Sequence, residues 1–275
     1  FVPALSRFEE PLDLNLVFSG HGKHLDCPTL RLTNHHGLMI AGEAALSNWD
    51  AGMDMYIYGK LGNLTMTKEG INVLMTNLTG KVPPILQRLD YIRFNGEAAG
   101  YLHDLTLTGL FHTGAGMVKT DVMMSIDEQS MSRTYSGSVA SADLDLGKLL
   151  NQEKKFGKVD FNVELKGFNY KNRYPESYIK GIISSFEYSQ YQYENIMLDG
   201  VYKDGGFNGR LSMDDANGSV QIDGNFNVAK TIPDFNLKAS VKNLRPHDLH
   251  LSDKYENASI SLGLTADFTG KSIDD

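Results

Sequence analysis

Between Tyr178 and Val228 an apolar residue follows a polar one again and again, and glycine-rich breaks interrupt the pattern at short intervals. Phe207, Leu211 and Met213 alternate with Asn208, Arg210 and Ser212, and Val220, Ile222, Phe226 and Val228 alternate with Gln221, Asp223, Asn225 and Asn227. A period of two belongs to a strand with one dry and one wet face. The breaks, Lys203-Asp204-Gly205-Gly206 and Asp214-Asp215-Ala216-Asn217-Gly218, are rich in residues that tolerate positive φ and predict tight hairpins. With no helix-length apolar stripe between them, these segments predict a meander of antiparallel strands.

The same alternation recurs along the chain. Val159, Phe161, Val163 and Leu165 alternate with Lys158, Asp160, Asn162, Glu164 and Lys166. Phe235, Leu237, Ala239 and Val241 behave alike, as do Ala258, Ile260, Leu262, Leu264, Ala266 and Phe268. Nearer the N-terminus, Leu12, Leu14, Leu16 and Phe18, then Leu30 and Leu32, then Leu38, Ile40 and Gly42 predict three strands. Met53 to Tyr58, Leu64 to Thr67 and Ile71 to Leu78 read as further strands, with Lys68-Glu69-Gly70 as a turn. Two short helices are predicted. One lies over Pro83 to Leu89, where a proline pair precedes Ile85, Leu86 and Leu89. The other lies over Leu144 to Lys155 and is ended by Gly157. Leu105 to Phe111 resembles Ile196 to Tyr202, a repeat whose copies are 91 residues apart when Gly109 is aligned with Gly200. This pattern divides the chain into an N-terminal β-rich segment, residues 1–90, and a repeated antiparallel segment, residues 91–275.

Charge and composition exclude several functions. The 275 residues carry a net charge of −8 and contain no Lys/Arg run longer than two, which leaves a nucleic acid no electrostatic foothold. Gly at 27 and Pro at 8 make glycine the turn-former. A single cysteine, Cys27, permits no internal disulfide. His21, His24, His35 and His36 lie near Asp26 and Cys27, but their spacing matches no zinc template, and no metal or cofactor is expected. The carboxylate pairs Asp214/Asp215 and Asp143/Asp145 sit in or beside turns, and no nucleophile elbow or phosphate-cradling loop is present. The expectation is a protein that is not an enzyme. Tyr188, Tyr191 and Tyr193 form the densest aromatic group, the one candidate for a carbohydrate platform. The chain begins without Met and stops directly after a strong strand, which reads as an internal piece of a longer protein.

Three stretches carry a family resemblance. They are Phe94 to Tyr101 running into Leu105 to Gly109 and Gly114-Ala115-Gly116; Leu144 to Leu150 with Gly157 to Gly167; and Tyr193 to Gly200. Together with Pro233 to Leu251, which includes Leu244-Arg245-Pro246-His247-Asp248-Leu249, they resemble the TamB-like members of the AsmA superfamily, large envelope proteins of Gram-negative bacteria. The resemblance covers most of the chain and is clearest from about residue 90 onward.

It implies an all-β fold, a long repeating antiparallel sheet curled into a taco-like apolar groove, with one or two short helices. It also implies a periplasmic part of an inner-membrane-anchored protein. The implied role is a non-enzymatic conduit in outer-membrane biogenesis. Phospholipid or another acyl-chain lipid would pass along the groove between the two membranes, with an outer-membrane barrel partner engaged through other regions. The family supplies no catalytic residues to carry over. The residues expected to line the groove are Val159, Phe161, Val163, Leu165, Ile196, Leu198, Phe207, Leu211, Met213, Val220, Ile222, Phe226, Val228, Phe235, Leu237, Ile260, Leu262 and Leu264. The alternative is a structural or adhesive envelope spacer, a β-sandwich or β-helix without lipid, in which the same residues are an ordinary core.

Overall fold

The computed structural model describes residues 11–127, 129–130, 132–169, 176–227, 234–254 and 256–269. The fold is all-β. The first strands are β1 (Asp13–His21), β2 (His24–Thr33), β3 (Leu38–Ser47) and β4 (Tyr56–Thr67), followed by the helices α1 (Lys68–Thr79) and α2 (Pro84–Gln87). Next come β5 (Tyr91–Tyr101), β6 (Asp104–Thr113), β7 (Gly116–Asp127), β8 (Ser132–Asp145) and the single-turn helix α3 (Leu146–Leu150). The chain continues through β9 (Phe156–Asn169), β10 (Glu176–Tyr188), β11 (Tyr191–Lys203), β12 (Gly206–Asp215), β13 (Gly218–Asn227), β14 (Asp234–Leu244) and β15 (Ile260–Thr269). Hydrogen bonding follows sequence order from β1 to β15, one fifteen-stranded antiparallel sheet. Antiparallel pairing of consecutive strands rules out the parallel β-helix of the alternative reading, and among the described residues there is no second sheet to make a sandwich.

The hairpins form where turn chemistry placed them. Lys203 pairs with Gly206 across Asp204 (φ 50°) and Gly205 (φ 77°), a two-residue loop with both central residues left-handed, which matches the twist of the flanking strands. Tyr188 pairs with Tyr191 across Ser189 and Gln190, which are also both left-handed.

The helices depart from expectation in two places. Ile71 to Leu78, predicted as a strand, belongs to α1, and Lys68-Glu69-Gly70 is its first turn. Thr67 caps the helix by accepting a hydrogen bond from the Gly70 amide at 3.1 Å, and Gly80 closes it at φ 75°. Ile71, Leu74 and Met75 follow the i, i+3, i+4 spacing of one helical face, a period that the neighbouring β pattern had masked. The second predicted helix is shorter than expected. Asp145 caps α3, and Asn151 in the left-handed region ends it, so Gly157 falls inside β9 instead of acting as a stop.

The chain forms two compact units. Unit 1 comprises residues 1–125 and 143–151, and unit 2 comprises residues 126–142 and 152–275. The boundary expected near residue 90 lies inside unit 1, because β4 and β5 pair along their length, from Tyr56↔Tyr101 to Thr67↔Tyr91. In unit 1 the buried cluster Ile71, Leu89, Ile92 and Ala115 gathers at one end of the strands, with Met75 of α1, Leu86 of α2 and Leu149 of α3 packed against it. Lys148 Nζ reaches Asp90 at 2.6 Å and the Gly114 carbonyl at 2.9 Å, tying α3 to the same end. In unit 2 the turn after β14 performs the corresponding task. Leu249 is fully buried, and Tyr193 Oη donates to its carbonyl at 2.7 Å.

The 91-residue repeat joins strands five apart, β6 and β11. In both places a glycine faces a glycine on the neighbouring strand, Gly96↔Gly109 in unit 1 and Gly200↔Gly209 in unit 2. The Phe94 ring lies over both members of the first pair, and the Phe207 ring lies over Gly200. A methyl group at Gly109 would meet Phe94 at 2.4 Å, so the ring occupies the space the missing side chains leave.

Candidate functional site

Register decides which side chains share a face, because directly opposed residues in an antiparallel pair project to the same side. In unit 2 one row runs Phe161, Ile183, Ile196, Met213, Val220, Val241 and Leu262. The next runs Val163, Gly181, Leu198, Leu211, Ile222, Ala239 and Leu264, and the next Leu165, Ile179, Gly200, Gly209, Gly224, Leu237 and Ala266. A further row carries Phe207, Phe226 and Phe235, the first two with ring centroids 5.7 Å apart. Val159 opposes Phe186, and Ile260 opposes Leu244 beyond a bulge at Asn243 (φ 49°). All the groove residues predicted from the sequence therefore stand on one face, except Val228, which lies outside the described residues.

Burial along that face is uneven. Val159 is 5% exposed, most of the central residues are half-buried, and Ile260, Leu262 and Leu264 on β15 are 38%, 45% and 50% exposed. Among the described residues β15 has a strand neighbour on one side only, so its side chains lack cover there. The alternation did not single out Ile179 and Ile183. The Ile182-Ile183 doublet hides their period, since adjacent residues face opposite ways: Ile183 joins the apolar rows, and Ile182 stands on the other face beside Met197.

That other face is organised by charge. Glu164, Lys180, Asp199, Arg210, Asp223 and Lys238 oppose one another in turn across six strands, each next to a residue of opposite sign. Lys180 lies 3.3 Å from Asp199, and Arg210 lies 2.9 Å from Asp223. Such exposed pairs each contribute little, yet together they favour this register over a slipped one. A cavity of about 500 Å³ opens on this side, lined by Lys180, Ile182, Met197, Asp199 and Arg210 among others.

Unit 1 repeats the apolar rows, although none of the residues expected to line the groove lies in it. One row runs Leu32, Ile40, Leu64, Phe94, Phe111 and Val118, and another runs Ala44, Gly59, Ala98, Leu107 and Val122. They line a cavity of about 400 Å³ whose wall is almost wholly apolar, formed by Leu64, Met66, Ile92, Phe94, Leu107 and Phe111 with smaller residues between them. The alternation Leu105, Leu107, Phe111 was legible in the sequence. What could not be read there was the run of small residues at Ala44, Gly59 and Ala98 that leaves the space.

No family model matches this chain, and neither the curated proteins nor the solved structures offer a match.

The remaining sequence candidates have local roles. Tyr193 is buried and Tyr191 half-buried, with ring centroids 4.8 Å apart, and the cluster continues to Phe186 and His250. This is a packed end of unit 2 and not an exposed sugar platform. Tyr191 Oη donates to the Asp215 carboxylate, which also accepts from the Asn217 amide at 2.9 Å and the Glu194 amide at 3.2 Å. Burial, reinforced by the Asp215 carboxylate, pushes the Tyr191 phenol up to about 12. Asp145 accepts from the Lys148 amide at 2.8 Å as the cap of α3. Among the histidines, His24 bridges Asp26 at 2.9 Å and Ser47 at 2.7 Å, and His36 meets Glu69 at 2.7 Å. Cys27 Sγ donates to the Thr29 carbonyl. The described residues hold no group of three or more His, Cys, Asp or Glu side chains placed to share a metal ion.

Proposed function

We propose that this chain is a non-enzymatic lipid conduit, a periplasmic part of an inner-membrane-anchored envelope protein that serves outer-membrane biogenesis. Phospholipid or a similar acyl-chain lipid is its cargo, and an outer-membrane barrel is its partner through other regions. The observation that carries this reading is the unbroken apolar face: rows of Val, Ile, Leu and Phe cross every strand from β9 to β15 while their side chains stay half-exposed. A folded domain that left so many large apolar side chains part-wet would forgo, for each one, part of the about 1.5–3 kcal/mol that full burial supplies. Acyl chains laid on that face recover the loss at roughly 0.8 kcal/mol per methylene. Because the rows repeat from strand to strand, neighbouring sites are nearly equal in energy, and a chain slides between them with little net change. The likeness to TamB-like proteins in the glycine-and-strand segments supports the same reading.

A photo-crosslinking side chain at Leu211 or Ile222 in cells is expected to capture phospholipid, whereas one at Gln221 or Asn225, on the charged face, captures none. Equal capture from both faces, or none from either, overturns the proposal in favour of a spacer without cargo.

A further inference from the structure

On the charged face of unit 2 one spot departs from the polar pattern around it. Ile182 and Met197 oppose each other directly across β10 and β11, and they remain 39% and 55% exposed. The sequence marks the spot twice, in the Ile182-Ile183 doublet and in the Ile196-Met197-Leu198 run, where an apolar residue takes a position that the alternation reserves for a polar one. Both side chains point away from the apolar rows and add nothing to them. Both line the cavity of about 500 Å³ on this side, a size typical of ligand-binding clefts.

The polar groups around these two side chains divide into those already paired and those left over. Asp199 accepts from Tyr178 Oη at 2.9 Å and meets Lys180 at 3.3 Å, while Arg210 donates through Nε and Nη2 to Asp223 at 3.2 and 2.9 Å. These bonds order the rim before any ligand arrives. Glu164 opposes Lys180 in the register, but Lys180 pairs with Asp199, and Glu164 makes no ion pair or hydrogen bond among the described residues. Asn162 opposes Ile182 and Ser212 opposes Met197, and among the described residues neither side chain is hydrogen-bonded. Glu164, Asn162 and Ser212 all line the cavity. With Lys180 and Arg210 neutralised by their partners, the one free charge there is a carboxylate.

We infer that this cavity docks an extended peptide segment that carries a large apolar side chain beside a lysine or arginine. The apolar side chain covers Ile182 and Met197, the segment's backbone bonds to Asn162 and Ser212, and its cation meets Glu164. From Asn162 to Ser212 is three strand spacings, roughly 14 Å, the reach of about four extended residues. The composition is that of an interface centre, where Met and Arg are enriched and a few apolar contacts are ringed by polar groups that exclude water. A lipid tail suits the cavity poorly, because it would strip water from Glu164, Asn162 and Ser212 and give them no hydrogen bond in return. An anionic head group would meet the free carboxylate as a like charge. The site lies on the face opposite the apolar rows, so it stands or falls separately from the lipid reading.

The test pans the full 275-residue chain against random octapeptides displayed on phage and measures the selected peptides by fluorescence polarisation. They are expected to share a large apolar residue beside Lys or Arg. Met197→Gln, at an exposed position, is expected to weaken them about tenfold or more. Glu164→Gln keeps the size of the side chain and is expected to weaken them up to about fivefold, and to abolish the preference for Lys or Arg over Gln in the peptide. No enrichment, peptides without the apolar-basic pair, affinities unchanged by Met197→Gln, or a cation preference that survives Glu164→Gln each overturn the proposal. Vesicles of phosphatidylethanolamine and phosphatidylglycerol are the second probe. Vesicle binding that is lost in Met197→Gln assigns the cavity to a membrane surface and also overturns it, whereas crosslinking at Leu211 reads the other face and decides only the lipid conduit.

Discussion

Across the middle of the apolar face, unit 1 places Ala44, Gly59, Ala98 and Leu107 in one row, and unit 2 places Val163, Gly181, Leu198, Leu211, Ile222 and Ala239 in another. The binary pattern is the same in both, and the volumes are not. Three small residues leave unit 1 with an apolar cavity. In unit 2 larger residues fill the corresponding rows, and the cavity of about 500 Å³ draws mainly on the charged face. The ends differ as well. Unit 1 is capped by three short helices, whereas unit 2 is capped by an aromatic cluster and the turn that buries Leu249. Alternation makes a face, and residue size and end caps decide how much apolar space stands over it.

Cutting the caps is the most damaging way to break this comparison. Ile71→Ala in α1 and Leu249→Ala after β14 each leave a hole where the side chain is almost fully buried, and each is expected to cost about 2–5 kcal/mol in urea unfolding. If only one of them matters, the two caps are not equivalent.

Glycines in the apolar rows of the two units give a smaller and unequal pair of effects. At Gly209 an added methyl group would sit 2.4 Å from the Gly200 Cα, so Gly209→Ala is expected to destabilise by about 1–3 kcal/mol. Gly59→Leu meets nothing and is expected to shift the thermal midpoint by a degree or two at most, because a substitution that touches nothing usually stays within about ±0.5 kcal/mol. Equal effects at the two positions would mean that the unit 1 cavity is filled in solution by a rearranged side chain.

The smallest effect is electrostatic and confined to the unit 2 cap. The raised Tyr191 phenol means that the folded state holds its proton more tightly than the unfolded chain, whose tyrosines titrate near the ordinary value of about 10. Its contribution is complete below about pH 10 and is lost as pH rises towards about 12, so stability falls across that window. Tyr191→Phe should flatten that part of the stability profile, as followed by denaturant titration at a series of pH values, and should leave the unit 1 cavity unchanged.

The sequence by itself determined most of the strands, several of the turns and which residues of unit 2 share a face. These depend on a period of two and on local φ preferences, both written in neighbouring residues. It misled at Ile71 to Leu78, where a helical spacing one turn long followed a run of strands, and it passed over Ile183 because Ile182 stood beside it. Only the tertiary structure decided that Ala44, Gly59 and Ala98 stand side by side, since the three come from different strands and meet through register alone. Likewise, only the fold showed that α1, α2 and α3 close one end of the strands, because their side chains, 74 residues apart at Met75 and Leu149, pack on one cluster only once the sheet between them has formed.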